Sequence, residues 1–376
     1  MPRGDHRAGA RIAIVGTGYV ADLYMASLRG FPGLEPIGAW DVDADRLAAF
    51  SRHWGVPAAA DLAALIAAQP AILLNLTNPA AHAGVTRAAL ERGVHVWSEK
   101  PLALDLGEAA ALAALARERG LHLASAPCSL LGRSAQTAWR AVRDGRIGTP
   151  RLAYAELDDG FVAHAPHARW RSASGAPWPS ADEFRTGCTL EHAGYYLSWL
   201  MAMFGPVRRI AGGAARTLAE DQTGAGHDSP DYASTSLFFD AMVARLTCSI
   251  VAPRDHRLRI FGDAGVLEVE QAWANGARVR VRRRHVVRRR LIESPFAWTV
   301  PVAGDGHPMV GRRGAASMNF ALGVAEMAMA IAAGRPPRLA GDFALHLTEV
   351  ALAMQAGGEH RIRTGFDPVA PMEWRA

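Results

Sequence analysis

Cysteine is scarce in this chain, and long apolar runs are missing. The three cysteines, Cys128, Cys188 and Cys248, lie far apart and form no CxxC pair. This excludes a disulfide scaffold and is typical of a reducing compartment with no zinc site. No apolar run approaches the roughly 18 to 20 residues of a membrane span. Residues 1–10 lack the apolar segment of a signal peptide. We therefore expect a disordered leader over 1–10, a cytoplasmic location and no membrane partner.

Lysine is nearly absent. Of the 41 basic residues, 40 are arginine and one, Lys100, is lysine. The excess of Ala, Arg, Gly and Pro indicates a compositional bias that replaces lysine by arginine wherever any surface cation suffices. Arginine is a poor substitute where a compact ammonium with an adjustable proton is needed. Lys100 is therefore a candidate functional residue.

The excess of positive charge is local. The formal net charge is +5, and eight arginines of the 278–290 stretch exceed it, so the rest of the chain is slightly acidic. The alternation in RVRVRRRHVVRRR predicts a two-stranded hairpin with a solvated basic face. An anion or partner patch is the alternative interpretation. Because no nucleic-acid-binding motif or interleaved aromatic residues accompany the hairpin, we expect no nucleic-acid partner.

The chain changes its pattern near residue 127. Before it, short apolar runs at 11–16, 34–41, 71–76, 95–100 and 121–126 alternate with helical patterns, as in parallel sheets wound by helices. After it, most strands follow one another with short turns, which favours an antiparallel sheet. We predict an α/β fold: a doubly wound parallel sheet at 11–127 and an α+β domain with a large, mainly antiparallel open sheet at 128–376. The last helix is expected to be able to pack back on the first domain.

A glycine-rich turn, GTGYVA, follows the first predicted strand. Gly16 permits a tight turn, and Gly18 lets the backbone approach a pyrophosphate. The helix that opens with Tyr19 and Val20 supplies N–H donors and a favourable dipole to an anion. The pattern predicts a Rossmann domain that binds a dinucleotide.

The second predicted strand ends in an acid. Asp41 lies 20 residues after Ala21, where a carboxylate can bind the adenosine ribose. Asp41 and Asp43 would repel a 2′-phosphate, which favours NAD. Arg46 lies close enough to keep NADP open.

Two further motifs carry a family resemblance. LTNPAAH contains Thr77, Asn78 and His82, and GVHVWSEKPLAL contains Glu99 and Lys100. With FGDAGVLEVE, EMAMAIAAGRPP and DFALHLTEVALAMQAGGE, they make most of the chain resemble the Gfo/Idh/MocA family of NAD(P)-dependent oxidoreductases.

The resemblance implies roles for these residues. Lys100 would lie near the nicotinamide and the substrate hydroxyl, with a cis bond to Pro101, and Glu99 would orient the site. Thr77, Asn78 and His82 would lie at the nicotinamide half of the cofactor. For His82, a satisfied helix-face histidine stays open as the alternative.

The helix TGCTLEHAGYYLSWLMAMFG departs from the family pattern. Aligned on Gly205, the family's Asp, His and second Asp positions fall on Glu191, Tyr195 and Ser198. Spacings of four and seven place them on one helical face, which we expect to look into the cleft between domains. Some members of the family use a tyrosine at this position as acid/base, so Tyr195 is the predicted proton-transfer residue. His192 is the alternative.

Hydride transfer from an alcohol requires that the hydroxyl proton leave as well, so a group with a tunable pKa must contact that oxygen. A phenol titrates near 10, and an adjacent ammonium favours the phenolate. We therefore predict that Lys100 and Tyr195 act together on the substrate oxygen.

A loop rich in Trp, His and Pro runs from about residue 158 to 185. We predict that Trp170 and Arg171 bind substrate, since aromatic faces pack against sugar-like rings and arginines bind carboxylates or phosphates. A loop packed on its own domain or on a second subunit is the alternative. His164 and His167 raise the question of a metal, but no acid spacing supports one, so we expect none.

The sequence thus predicts an NAD(P)-dependent oxidoreductase that transfers hydride between nicotinamide and a CH–OH or C=O carbon of a sugar, cyclitol or related polyol. An NAD-dependent glycosidase or lyase, an imine reductase and a non-catalytic NAD-binding regulator are the alternatives. The resemblance also implies a homodimer or homotetramer, with the 278–290 hairpin at or near its interface.

Overall fold

A computed structural model describes residues 9–223, 228–271, 273–302, 306–311 and 314–372. All but the end of the predicted leader, 1–10, lies outside the described residues. The chain forms two compact units. The first contains the chain up to Cys128 together with Pro166–Asp182 and Phe320–Thr348, and the second contains Ser129–Ala165, Glu183–Asn319 and the chain from Glu349. Each unit is therefore assembled from segments that are distant in sequence.

The described strands of the first unit form a parallel sheet. They are β1 (Ala10–Val15), β2 (Leu34–Trp40), β3 (Ile72–Asn75), β4 (His95–Ser98) and β5 (Leu123–Ser125), in the spatial order β2-β1-β3-β4-β5. All neighbouring pairs run parallel. Every residue of β3 is buried, as expected when helices cover both faces of a sheet. The prediction of a doubly wound parallel sheet is confirmed.

The helices of the described chain are α1 (Tyr19–Leu28), α2 (Ala44–Trp54), α3 (Leu62–Ala67), α4 (His82–Glu91), α5 (Leu106–Glu118), α6 (Arg133–Arg143), α7 (Ser180–Thr186), α8 (Cys188–Phe204), α9 (Glu220–Thr223), α10 (Leu322–Ala332) and α11 (Asp342–Ala356). Asp43, Asp61 and Asp105 cap α2, α3 and α5 by accepting backbone N–H groups of the first turn. None of the described helices combines the length and the apolar character needed to cross a membrane.

The core of the first unit lies between its sheet and these helices. Leu73 and Val96 of the sheet pack with Leu112 of α5. Ala344 of α11, far along the chain, belongs to the same buried cluster. An ion pair of 2.8 Å between Arg117 and Asp342 joins α5 to α11 at the surface.

The second unit has a larger sheet. Its described strands are β6 (Pro150–Asp158), β7 (Arg209–Ala215), β8 (Tyr232–Phe238), β9 (Val243–Ser249), β10 (Leu258–Gly262), β11 (Gly265–Val269), β12 (Val279–Val287), β13 (Arg290–Glu293), β14 (Trp298–Thr299) and β15 (Gly358–Arg361). The order is β13-β12-β11-β10-β6-β9-β8-β7-β15, with β14 beside β12. Only β6 and β9 pair in parallel among these strands. The predicted mainly antiparallel sheet is confirmed.

Two local features of this unit bear on the predictions. Strands β12 and β13 form the expected arginine-rich hairpin, in which Arg284 is opposite Glu293. Helix α8 packs against β6, β8 and β9. The sheet therefore supports the helix that carries the predicted proton-transfer residues.

Candidate functional site

The glycine turn after β1 has the geometry that a dinucleotide requires. Gly16 has φ +88°, and a Cβ there would lie 2.6 Å from the carbonyl group of Leu76, so no larger residue fits. Gly18 is the N-cap of α1, and a Cβ there would meet nothing within 4 Å. Tyr19 and Val20 follow as the first turn of the helix. An open space beside a helix N-terminus fits the pyrophosphate of a dinucleotide.

Asp41, directly after β2, is engaged more fully than the sequence suggested. Its Oδ2 accepts hydrogen bonds from the backbone N–H and hydroxyl of Thr17 at 2.7 and 2.9 Å and from Nε of Arg46 at 3.0 Å. Its Oδ1 accepts from Nη2 of Arg46 at 2.6 Å and from the N–H of Asp43 at 2.9 Å. Burial raises the pKa of Asp41, but these hydrogen bonds outweigh burial and lower it; the same pair raises the pKa of Arg46. The carboxylate predicted to bind the ribose is therefore already paired with a guanidinium.

The loop after β3 is held by Asn75, which the sequence analysis missed. The side-chain amide nitrogen of Asn75 donates to the carbonyl of His82 at 2.9 Å and to the hydroxyl of Thr86 at 3.1 Å. Its oxygen accepts from the hydroxyl of Thr77 at 2.7 Å. Asn78, next along the loop, is exposed. The available signal was a polar residue inside an otherwise apolar strand, because such a residue needs a partner when buried.

His82 joins two loops of the site. Its ring is fully buried, with Nδ1 2.6 Å from the carbonyl oxygen of Pro101 and Nε2 3.0 Å from that of Thr77. Burial lowers the pKa of the ring. Both ring nitrogens thus face backbone carbonyls of the protein itself. This placement fits a residue that fixes the two loops, as in the alternative interpretation of a satisfied histidine.

Lys100 follows β4 and precedes a cis peptide bond to Pro101, as predicted. Glu99 is buried and accepts a hydrogen bond from the N–H of Lys100 at 3.2 Å and from the hydroxyl of Tyr24 at 2.7 Å. The Tyr24 hydroxyl in turn accepts from the indole of Trp97 at 2.8 Å. Burial and the nearby Glu99 raise the pKa of Tyr24 well above 10, so it stays a donor. Glu99 orients the backbone of Lys100 through this chain of bonds.

The middle of the predicted substrate loop belongs to the first unit. The ring centroids of Trp170 and Trp178 lie 5.1 Å apart. Ser174 donates from its backbone and hydroxyl to Asp22, in the first turn of α1, at 3.2 and 2.7 Å. The exposed Arg171 donates to two carbonyls of its own loop. This segment therefore packs on the predicted dinucleotide-binding helix.

In the second unit, α8 carries the other predicted site residues. Glu191 and Tyr195 are largely buried, with 6% and 8% of their surface exposed. Ser198, expected on the same ligand-facing side, is engaged by its own helix. Its side chain is fully buried and donates to the carbonyl of Tyr195 at 3.1 Å, a bond within its own helix that serine often makes.

Trp273 brings together residues that no sequence motif connected. The centroid of its ring lies 5.8 Å from the ring centroid of Tyr195, 6.2 Å from that of His192 and 4.3 Å from that of His256. Asp159 is within ion-pair distance of both histidines. The two candidate proton-transfer residues of α8 thus share one indole, and His192 also lies near a carboxylate.

Other reactive groups are less suited to chemistry. Burial raises the pKa of the thiols of Cys128 and Cys188 to about 12, which leaves them protonated. Within the described part of the chain, no group of three or more His, Cys, Asp or Glu side chains could hold a metal ion.

The comparisons with known proteins agree with this geometry. A model of an oxidoreductase family with an NAD-binding Rossmann fold, GFO_IDH_MocA, matches residues 10–126, and the GFO/IDH/MocA C-terminal domain matches residues 135–268. The chain is 27% identical to the D-apiose dehydrogenase of Paraburkholderia graminis over 210 residues, which are 54% of this chain and 52% of that protein. It is 30% identical to the UDP-N-acetylglucosamine 3-dehydrogenase of Acidithiobacillus ferrooxidans over 146 residues, 39% of this chain and 44% of that protein.

A solved structure shares the fold over nearly the whole length. The WlbA dehydrogenase from Bordetella pertussis, in complex with NADH and UDP-GlcNAcA, has a TM-score of 0.71 at 17% identity, covering 94% of this chain and 98% of that one. The chain spans about half the length of the curated relatives it matches, 52% and 44% for the two named above. The two family models together match more than half of this chain. The chain belongs to the Gfo/Idh/MocA family of NAD-binding oxidoreductases.

Proposed function

We propose that this protein transfers hydride between a nicotinamide cofactor and a CH–OH or C=O carbon of a sugar, cyclitol or related polyol. The observation that carries the proposal is the placement of Lys100, the only lysine of the sequence. It follows β4 in the dinucleotide-binding unit, between the buried Glu99 and Pro101. The names of the similar dehydrogenases of D-apiose and UDP-N-acetylglucosamine support the substrate class.

The residues present fit the cofactor. The open space beside Gly18 and the N-terminus of α1 would take the pyrophosphate. Asp41 with Arg46 would take the adenosine ribose, and the exposed guanidinium edge would also tolerate a 2′-phosphate. When bound, the nicotinamide accepts or returns a hydride at C4.

Lys100 would act on the substrate oxygen. Its backbone is held by Glu99, and the following loop is held by His82. A positioned ammonium lowers the free energy of an oxygen that develops negative charge as the hydride leaves. The hydroxyl proton would pass to a residue of α8, for which Tyr195 is the prediction from sequence and His192 the alternative.

The test replaces Lys100 and compares turnover with cofactor binding. A purified enzyme would be assayed on a panel of sugars and cyclitols by absorbance of the reduced cofactor. We expect Lys100→Met to lower kcat by about 100-fold or more, and Lys100→Arg to rescue little because the guanidinium is bulkier and does not release its proton. The Kd for NAD, measured by fluorescence quenching, should change little in both.

Arg119→Met, which removes an exposed cation of the same unit, is the matched control and should keep full activity. Unchanged kcat in Lys100→Met would contradict the proposal. Substrate conversion without net reduced cofactor would instead indicate the glycosidase or lyase alternative.

A further inference from the structure

Asp159 lies directly after β6 and faces two histidines from different parts of the second unit. Its Oδ1 is 3.6 Å from Nε2 of His256, and its Oδ2 is 4.0 Å from Nε2 of His192. Its backbone N–H donates to the carbonyl of Ser249, the last residue of β9, at 2.9 Å. Strand pairing thus fixes one carboxylate between two imidazoles.

His256 is the inner of the two histidines, with 1% of its side chain exposed. Nδ1 is 2.9 Å from Oε1 of Gln271, an oxygen that only accepts, so Nδ1 donates. Nε2 is buried and has no hydrogen-bond partner among the described residues, and it faces Oδ1 of Asp159. An acceptor therefore lies beside each ring nitrogen of His256, and Asp159 is held between this ring and the backbone of Ser249.

His192 is the outer histidine, with 12% of its side chain exposed. Nε2 of His192 faces Asp159. Because the outward bonds of the two ring nitrogens diverge, Nδ1 points away from that carboxylate. We propose that Asp159, anchored by His256, positions His192 as the acid/base of this enzyme, with the Nε2 proton directed at Asp159 and Nδ1 exchanging the substrate proton. This inference rests on the proposed function and names the residue that handles its proton.

A carboxylate beside one imidazole nitrogen has two effects on the other. It holds the ring in one tautomer, and it stabilises the imidazolium that forms when the second nitrogen takes a proton. In the oxidative direction, the alcohol loses a hydride to the oxidised cofactor and its hydroxyl proton to Nδ1 of His192, and a carbonyl forms. His192 then passes that proton to water, and Asp159 takes no direct part in the proton transfer. An imidazole also titrates nearer to neutral pH than a phenol, which favours His192 over Tyr195.

Further charged side chains surround this group: Glu156, Asp158, Arg254, Asp255 and Arg257. Asp255 pairs with Arg257, and Glu156 pairs with Arg245. Asp158 differs, because burial and the charges of Glu156 and Asp255 raise its pKa to about 6. Any pH profile therefore needs Asp158→Asn as a separate variant.

The first experiment measures kcat and KM of the full-length enzyme from about pH 5 to about pH 9. We expect Asp159→Asn to lower kcat by about 10- to 100-fold with little change in KM. The limb of the profile that reports imidazole protonation should move to lower pH. His192→Gln should lower kcat more and abolish that limb. Adding Asp159→Asn to His192→Gln should cost nothing further, because Asp159 acts through His192.

The control is Asp240→Asn, which removes an exposed carboxylate paired with Arg208 in the same unit and should leave kcat and the profile unchanged. An unmoved limb in Asp159→Asn would overturn the proposal. The proposal would also be overturned if Asp159→Asn lowered kcat by the same factor in the wild-type protein and in the His192→Gln variant. If Tyr195→Phe abolished that limb of the pH profile and His192→Gln retained it, the proton transfer would be assigned to Tyr195. That result would also overturn the proposal.

The second experiment does not depend on activity. Long-range ¹H–¹⁵N spectra of histidine-labelled protein, assigned with His192→Gln and His256→Gln, report the tautomer and charge of each ring. We expect the Nε2–H tautomer of His192, and we expect Asp159→Asn to alter the spectra of both rings. A His192 that carries its proton on Nδ1 would refute the inference. If no sugar is turned over, the proposed function fails while these spectra still decide the role of Asp159.

Discussion

Replacement of Asp41 by asparagine would test how the ribose end of the dinucleotide site is held. Asparagine has the same shape but no charge, and its amide nitrogen must occupy the place of one carboxylate oxygen. At Oδ1 that nitrogen would meet donors from Arg46 and Asp43, and at Oδ2 it would meet donors from Thr17 and Arg46. In either orientation the amide loses at least two of the five hydrogen bonds that Asp41 accepts.

The magnitude follows from those losses. Hydrogen bonds to charged groups contribute about 1.5 to 3 kcal/mol each, so two of them set an upper range of about 3 to 6 kcal/mol. The side chain of Arg46 is 33% exposed and regains water when the pair is broken, which reduces the net cost. We expect the free energy of unfolding to fall by about 2 to 3 kcal/mol.

Urea unfolding at neutral pH measures the difference. Asp43→Asn is the matched control: Asp43 caps α2, asparagine caps helices equally well, and so the loss should stay below about 0.5 kcal/mol. Because the pKa of Asp41 is lowered in the folded state, the folded protein binds fewer protons there than the unfolded chain. Its stabilisation is therefore complete above about pH 4 and is lost as the pH falls further. Equal stability of the two variants, or a difference that persists unchanged in acid, would refute this account.

Two further predictions concern packing and the loops around Lys100. In Gly323→Ala a Cβ would lie 1.9 Å from the ring of Trp97, so we expect the free energy of unfolding, measured in urea, to fall by about 1 to 3 kcal/mol or more. The control Gly84→Ala has open space at its Cβ and should instead raise that free energy by about 0.5 to 1 kcal/mol. Equal effects of the two substitutions would contradict the packing argument. His82→Gln removes the link between the carbonyls of Thr77 and Pro101, so both kcat and the free energy of unfolding should fall. Because burial lowers the pKa of His82, the wild-type protein should lose stability below about pH 6.5. If the stability of the variant depended on pH in the same way, this explanation would be contradicted.

Part of the candidate site could be predicted because it depends on local order. A tight turn with positive φ requires glycine, and Gly16 provides it directly after a strand. The alternation of apolar strands and helices predicted the strand ends at Asp41 and Lys100, and the family resemblance implied the role of Lys100. Periodicity indicates which residues share a helical face, but it could not show that the Ser198 hydroxyl bonds to its own helix.

The dinucleotide turn, the alternating pattern of each sheet and the position of the one lysine could be predicted from the sequence, since these features depend on residues close together in the chain. Which distant side chains meet depends on the tertiary structure. Asp159, His192 and His256 converge because Asp158 at the end of β6 pairs with Asp255 beside His256, and because α8 packs on the same sheet. Likewise, Ser174 reaches Asp22 across 152 residues. Such contacts arise from strand pairing and packing between remote segments, for which no local pattern in a single sequence carries a signal.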